Sequence, residues 1–233
     1  MRQTHKPAPS GAHDEDLIAG SRIVVPAGIR PAVSHAFAAI QRVHQVPSMS
    51  PITFTSDDTM EQHGKFIWDL ASGRPVEIRI RPTSDHRELT ALLEIGHWLD
   101  HQAIGTMGEF SSTSHPILAA WRAAVGNSAA IQKLENFLDA GTVPCRDASG
   151  RTRHMPVGRF VQYLLNPAEL FSRSYAQWIA SESQDELMLR QIAAVTGSNE
   201  PIGILPRYWD TGDFETVSRE LDSVMIKVGW KRR

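Results

Sequence analysis

The sequence has little cysteine, no long apolar run and no large excess of charge of either sign. Its one cysteine, Cys145, excludes an internal disulfide framework and a zinc site built from cysteines alone. No apolar stretch approaches the roughly 20 residues that a membrane span needs. A net charge of -2 gives no reason to expect nucleic acid or a membrane surface as the main partner. The N-terminus lacks the apolar core of a secretory signal, so an intracellular, reducing location is expected.

What is present is the composition of an ordinary globular domain, with 41% hydrophobic and 21% charged residues in a chain of 233. Residues 1–20 are polar, contain Pro7 and Pro9, and show almost no apolar periodicity. We therefore expect a flexible N-terminal tail at 1–20 and a single domain at 21–233.

The spacing of apolar residues predicts an α+β fold, in which a small antiparallel sheet packs on a mainly helical body. Short or alternating apolar runs predict strands at 52–55, 66–68 and 76–80. Helical periodicity and capping signals predict helices at 31–46, 84–103, 116–125, 129–140, 158–165 and 213–228. Two further helices are predicted to follow the capping residues Asn166 and Ser183, and Ser84 is predicted to cap the helix at 84–103.

The predicted helix at 84–103 contains most of a metal-binding motif. In the motif His-Glu-x-x-His, two histidines four residues apart on one helix face bind zinc, and the glutamate acts as general base on a zinc-bound water. Glu94 and His97 occupy the positions of that glutamate and of the second histidine, and Gly96 lies between them. Leu93 occupies the position of the first histidine.

A second block, Tyr163 to Tyr175, follows the capping residue Asn166 and contains Glu169. Together the two blocks resemble zincin metallopeptidases, in particular lethal-factor-like and phage-encoded zincins, over residues 51–180 in layout. In that family, a glutamate on a later helix supplies the third zinc ligand and an upstream tyrosine can stabilise the oxyanion. The resemblance implies His97 and Glu169 as metal ligands, Glu94 as catalytic base, and Tyr163 as oxyanion donor, with a protein or peptide as substrate.

Each of these residues also has a structural interpretation. Leu93 continues an apolar stripe from Leu89, which is typical of a core helix. Glu169 is the third helical residue behind the predicted cap Asn166, where a capping glutamate belongs. Tyr163 also has the interpretation of a packed aromatic residue, the commoner role of a tyrosine.

Leucine has no lone pair for a metal, so zinc binding is expected to be weak or lost. His97 and Glu169 alone fall short of the three protein ligands of a catalytic zinc site. An alternative pair is His97 and His101, which with Asp100 imitate the reversed pattern His-x-x-Glu-His, about 6 Å further along the helix. His101 is otherwise interpreted as a residue that supports the site or faces solvent. His86, His115 and His154 are interpreted as ordinary surface or loop histidines.

The sequence therefore supports two hypotheses of function. The first is a degenerate zincin-type zinc metallopeptidase-like protein, impaired in metal binding, whose ancestral activity is hydrolysis of peptide bonds. The second is a non-catalytic structural or interaction protein, such as a phage-particle or effector component, that reuses the same scaffold. Leu93 leaves open whether the chain is an enzyme, and a change introduced into this sequence would also explain it. The expected location is the cytoplasm or a phage particle.

Overall fold

The computed structural model describes residues 15–18, 21–146, 151–196 and 205–232. Helices dominate this part of the chain and the strands form two small sheets, so the predicted α+β class is confirmed. Of the predicted N-terminal tail, residues 1–14 and 19–20 lie outside the described residues. Within the predicted tail, Glu15–Ile18 forms a strand whose backbone pairs with Ser21–Val24.

The larger sheet has five strands and is mixed, where a purely antiparallel sheet was predicted. The strands are β1 (Glu15–Ile18), β2 (Ser21–Val24), β3 (Ile52–Ser56), β4 (Gly64–Trp68) and β5 (Pro75–Ile80), in the order β1-β2-β3-β5-β4. The β4–β5 hairpin is antiparallel as predicted, but β3 pairs in parallel with both β2 and β5. Parallel neighbours need a long connection, and a helix supplies it between β2 and β3. Strand β4 lies at one edge of the sheet.

The helical predictions are confirmed, with ends that differ by at most three residues. The helices are α1 (Arg30–Val43), α2 (Arg87–Gln102), α3 (Ser111–Ser114), α4 (Ala119–Gly126), α5 (Ala129–Ala140), α6 (Arg159–Leu164), α7 (Pro167–Glu182), α8 (Glu186–Thr196) and α9 (Thr211–Lys227). Helix α3 and the hairpin of β6 (Thr142–Arg146) with β7 (Thr152–Pro156) were not predicted. Among the described helices, none is long and apolar enough to cross a membrane.

The predicted caps have different outcomes. Asn166 caps α7 as predicted, since its side chain accepts a hydrogen bond of 2.9 Å from the Ala168 backbone N–H. Ser84 does not cap α2, because its hydroxyl bonds to His63 and the helix begins three residues later. At the start of α8, Asp185 rather than Ser183 accepts the backbone N–H of Met188, at 3.1 Å.

Helices α2 and α7 lie side by side at the centre of the molecule. Most of the large apolar residues of α2 and α7, including the fully buried Trp98 and Trp178, lie in one core with the sheet. At Gly96, an added Cβ would lie 3.1 Å from Tyr175 Cδ1 and 3.2 Å from Ser172 Cα. The two helices therefore approach closely at Gly96, where α2 has no side chain.

Candidate functional site

The contact between α2 and α7 brings His97 and Glu169 together. His97 Nε2 lies 3.3 Å from Glu169 Oε1, although the two residues belong to different helices. His97 follows Gly96, and Glu169 lies one turn before Ser172, the residue that packs on Gly96. The close helix crossing thus sets the separation of the two side chains. At this point α2 and α7 are in direct contact.

The buried pair is stabilised in its charged form. Burial alone would lower the pKa of His97, but the hydrogen bond and negative charge of Glu169 outweigh it and raise that pKa. Burial alone would raise the pKa of Glu169, but the same contact, together with nearby Tyr163 and Arg173, lowers it. His97 Nδ1 and Glu169 Oε2 are also buried, and neither has a hydrogen-bond partner among the described residues.

Glu94 lies beneath strand β4, at the edge of the sheet. An added Cβ on Gly64 would lie only 2.7 Å from Glu94 Oε1, so the absence of a side chain at Gly64 makes room for the carboxyl group. Burial raises the pKa of Glu94 to about 7, opposed by the positive charge of His97 and by a hydrogen bond with the Phe66 backbone. Glu94 is therefore a carboxyl group that exchanges its proton near neutral pH.

Tyr163 approaches the pair from α6. Burial of its hydroxyl group, followed by the negative charge of the Glu169 carboxylate, raises the pKa of Tyr163. The ring stacks on Phe160, with centroids 6.1 Å apart, and the residue as a whole remains 47% exposed. Tyr163 is thus both a packed aromatic residue and a neighbour of the candidate ligand.

Arg173, for which the sequence predicts no role, organises the junction of α6 and α7. Its buried guanidinium donates to the backbone carbonyls of Leu164, Glu169 and Arg207. Its positive charge contributes to the lowered pKa of Glu169. Because each of its three guanidinium nitrogens donates to a main-chain oxygen, Arg173 fixes the backbone that carries Tyr163 and Glu169.

One turn further along α2, Asp100 and His101 have other partners. Asp100 accepts hydrogen bonds from the Ser112 backbone N–H at 2.8 Å and the Ser112 hydroxyl at 2.5 Å, and burial raises its pKa to about 7 against those bonds. His101 Nδ1 lies 2.7 Å from Gln102 Nε2, and its ring packs 4.8 Å from that of Phe110. Burial lowers the pKa of His101. The contacts of His101 are those of a packed core histidine.

The residues present do not complete a catalytic zinc site. His97 and Glu169 offer two ligands, and Leu93, which is partly buried against the core, offers none. Within the described ranges, no group of three or more His, Cys, Asp or Glu side chains is arranged to hold a metal ion. Neither the pair His97–Glu169 nor the pair His97–His101 therefore has the third protein ligand that a catalytic zinc normally has.

Two cavities in the described part of the chain lie away from the site. A cavity of about 290 Å³ lies between α4, α5 and the start of α7, and one of about 150 Å³ lies around α3. Neither is lined by Glu94, His97 or Glu169. His115 lines the smaller cavity, and its ring accepts the Ile117 backbone N–H at 3.3 Å.

Comparison of the chain with protein-family models, with curated proteins and with solved structures gives no match. The function of the chain is therefore inferred from the motif blocks and from the geometry of the side chains that they contain.

Proposed function

We propose that the chain is a zincin-type metallopeptidase-like protein with an incomplete metal site, and that its partner is a protein or peptide. The proposal is carried by the separation of 3.3 Å between His97 Nε2 and Glu169 Oε1. Two ligands of one tetrahedral zinc ion, each about 2.0–2.1 Å from the metal, are about 3.4 Å apart. The residues that resemble the zincin ligands thus have the spacing that a shared metal requires.

Two further observations support the proposal. Glu94 lies in the same buried region, and its pKa near 7 suits a group that accepts and returns a proton at neutral pH. His97 Nδ1 and Glu169 Oε2 are buried polar atoms without hydrogen-bond partners among the described residues, which is uncommon in a purely structural ion pair. Because Leu93 supplies no ligand, we expect zinc binding to be weak, and we assign no metal-dependent step to this chain.

The edge position of β4 supports a peptide partner. An extended peptide can add to an exposed sheet edge through main-chain hydrogen bonds. A Cβ added at Gly64 of β4 would lie only 2.7 Å from Glu94 Oε1, so a peptide lying along β4 would lie near that carboxyl group.

The direct contact of α2 and α7 favours the second function, a non-catalytic structural or interaction protein on the same scaffold. Glu94 and His97 are only 5% and 7% exposed, and the two described cavities lie elsewhere. A substrate carbonyl would have to separate His97 from Glu169 to reach the site. In this role, the ion pair joins the two central helices.

Restoring the missing ligand tests the proposal. Positions 93 and 97 lie on one helix face, so Leu93→His would place a second imidazole beside His97. We expect the purified native chain to retain no stoichiometric zinc after dialysis against a mild chelator. The Leu93→His variant should bind zinc and show a zinc-dependent rise in Tm.

Two variants control for polarity and for the second ligand. Leu93→Gln adds a polar group of similar size without an imidazole, and Leu93→His/Glu169→Gln removes the partner ligand, so both should lack the zinc effect. If Leu93→His binds no more zinc than Leu93→Gln, the proposed function is wrong. If the native chain keeps one zinc per chain, the incomplete-site proposal is wrong, and loss of that zinc in His101→Ala would assign it to the His97–His101 pair.

A further inference from the structure

An apolar surface lies beside the edge strand β4, at the end where the hairpin turns back into β5. The rings of Trp68 and Phe110 are in contact there, with centroids 5.1 Å apart, and each residue is only partly buried. Leu70 and Met107 are 86% and 68% exposed, more than any other large apolar residue in the described part of the chain. We call Trp68, Leu70, Met107 and Phe110 the Trp68 surface.

Contact between two loops brings Leu70 and Met107 to the same end of the sheet. A Cβ added at Gly73, in the β4–β5 turn, would lie 2.9 Å from Gly108 Cα, in the loop after α2. Both glycines have a positive φ, 65° and 90°, which disfavours any other residue at these positions. Gln102 Nε2 also donates to the Gly73 carbonyl at 3.0 Å. The fold therefore holds the two parts of this surface together, although they come from separate segments.

A strand added along β4 would place alternate side chains on the inner side of the sheet, where its neighbours are aromatic. The ring of Trp68 stacks on that of Phe66, with centroids 5.8 Å apart, and Phe66 lies in the core, so both rings are on the inner side. Phe110 packs edge-on against both rings. Inward side chains of an added strand would therefore meet Trp68 and Phe110, and apolar ones would bury apolar surface against them.

On the outer side of the sheet, the neighbour of an added strand is a lysine. Lys65 is exposed and lies directly opposite Arg79 in the β4–β5 ladder. Arg79 has acidic partners in Glu77 and Asp57, whereas no described residue forms an ion pair with Lys65. An acidic side chain beside Lys65 would offset the repulsion between the two like charges. A lysine on an edge strand also opposes pairing with a second copy of the chain, which favours a different partner.

We propose that the partner of β4 is an extended peptide segment with alternating apolar and acidic residues, whose apolar side chains lie on the Trp68 surface. Main-chain hydrogen bonds to the strand edge supply affinity, and the alternate side chains supply specificity. A lipid surface would also bury Leu70 and Met107, but it offers no hydrogen bonds to the main chain of β4. The inference rests on the peptide partner of the proposed function, and it adds the class of sequence that this partner has.

Three short peptides test this class of sequence. The first alternates Leu and Glu, the second has Ser in place of Leu, and the third has Lys in place of Glu. We expect the Leu–Glu peptide to bind about tenfold more tightly than the Ser–Glu peptide and about fivefold more tightly than the Leu–Lys peptide, measured by fluorescence anisotropy of labelled peptides. The Leu–Glu peptide with methylated backbone nitrogens cannot donate to β4 and should bind about tenfold more weakly. Binding should shift the NMR signal of the Met107 methyl group, which is assigned by its loss in Met107→Gln.

Variants of exposed residues locate the site without disturbing the core. Leu70→Gln and Met107→Gln should each weaken binding of the Leu–Glu peptide about fivefold, because each removes apolar contact area. Leu189→Gln replaces an exposed leucine on α8 and should leave binding unchanged. Lys65→Gln should reduce the preference for the Leu–Glu over the Leu–Lys peptide, and Lys133→Gln, on α5, should preserve that preference.

The outcomes separate the alternatives. Equal binding of the Leu–Glu and Ser–Glu peptides, or unchanged affinity in both Leu70→Gln and Met107→Gln, would overturn the inference. Binding of phosphatidylcholine vesicles at Met107 without binding of the Leu–Glu peptide would also overturn it and would assign the surface to a lipid partner. Failure of Leu93→His to bind zinc contradicts the metal site of the proposed function and does not bear on the peptide, so the two failures are distinguishable.

Discussion

His97 Nε2 lies 3.3 Å from Glu169 Oε1, where α2 and α7 cross at the side-chain-free position of Gly96. Burying two charges costs desolvation energy, and the attraction between the charges only partly offsets that cost. A role in function is therefore a reason for the chain to retain this pair. Because His97 lies on α2 and Glu169 on α7, the contact between these two helices depends on the protonation states of both side chains. This coupling can be measured whether or not the site binds metal.

Removal of Glu169 should leave His97 buried without its counter-charge. We expect Glu169→Gln to lower the free energy of unfolding by about 2 kcal/mol and to lower the pKa of His97. The raised pKa of His97 stabilises the fold below pH 6.5 and the lowered pKa of Glu169 stabilises it above pH 4.5, so the loss should be greatest between those values.

A double-mutant cycle with His97→Gln provides the control for that prediction. Because the two side chains share one contact, the double variant should lose less stability than the sum of the two single variants. Additive losses in urea denaturation at pH 5.5 would show that the two residues are not coupled.

Local signals in the sequence were sufficient for most helices but not for the pairing of strands. Asn166 and Pro167 determine the start of a helix through contacts within its first turn, and α7 begins where they predict. The parallel pairing of β3 with β5 depends on tertiary contacts between segments that are distant in the sequence. No residue pattern in either strand predicts it. Alternation of buried Val143 and Cys145 was the available signal for β6.

The candidate site was predicted only in part, for the same physical reason. The motif blocks singled out His97 and Glu169, but their spacing depends on the close approach of α7 to Gly96. His86 has no sequence partner at ligand spacing, so the approach of its ring to that of His63, with centroids 6.3 Å apart, could not be foreseen. Such contacts arise from tertiary packing, which leaves no periodic pattern in the sequence.

Gly64 should be intolerant of a side chain because Glu94 lies against it. An alanine Cβ would lie 2.6 Å from Thr90 Cγ2 and 2.8 Å from Glu94 Cγ, distances that require these residues to move. We expect Gly64→Ala to lower the free energy of unfolding by about 1–3 kcal/mol. Gly28→Ala is the matched control, since nothing lies within 4 Å of its added Cβ. Equal stability of the two variants in chemical denaturation would contradict the close packing at Gly64.

Glu94 should make the protein less stable as the pH rises through neutrality. Its pKa is raised from 4.5 to about 7, so the stability contributed by its protonated form is fully present below pH 4.5 and is lost as the pH rises through 7. Glu94→Gln cannot lose a proton and should exceed the native chain in stability by up to about 3 kcal/mol above pH 7.

Unfolding free energies between pH 5 and pH 8 check the effect of Glu94. The exposed Glu215 on α9 provides the control variant, Glu215→Gln, which should follow the native pH dependence. A constant difference between Glu94→Gln and the native chain over this range would show that Glu94 does not titrate there.

His44 should act in the opposite direction, at acid pH. Its ring lies between those of Trp178 and Trp230, with both centroid distances 5.7 Å. His44 Nδ1 lies 2.8 Å from the Gln45 carbonyl oxygen and Nε2 lies 2.9 Å from the Tyr175 hydroxyl. A carbonyl oxygen only accepts, so Nδ1 carries the proton and Nε2 accepts from Tyr175. A second proton on His44 would remove that acceptor in a buried site.

Burial accordingly lowers the pKa of His44 from 6.5 to about 4. The unfolded chain therefore takes up a proton at a higher pH than the folded chain, and the stability contributed by neutral His44 is lost as the pH falls from 6.5 to 4. The full loss is about 3–4 kcal/mol, at about 1.4 kcal/mol for each pH unit between the two pKa values. His44→Phe/Tyr175→Phe removes the titrating ring and its partner together, so no buried polar group is left unpaired between them.

Denaturation followed by tryptophan fluorescence should show a shallower acid dependence of stability in this double variant than in the native chain. His154→Gln, which changes an exposed histidine on β7, is the control and should follow the native chain. If the double variant loses as much stability between pH 6.5 and pH 4 as the native chain, the acid sensitivity arises elsewhere, because His44 is then not the group that takes up the proton.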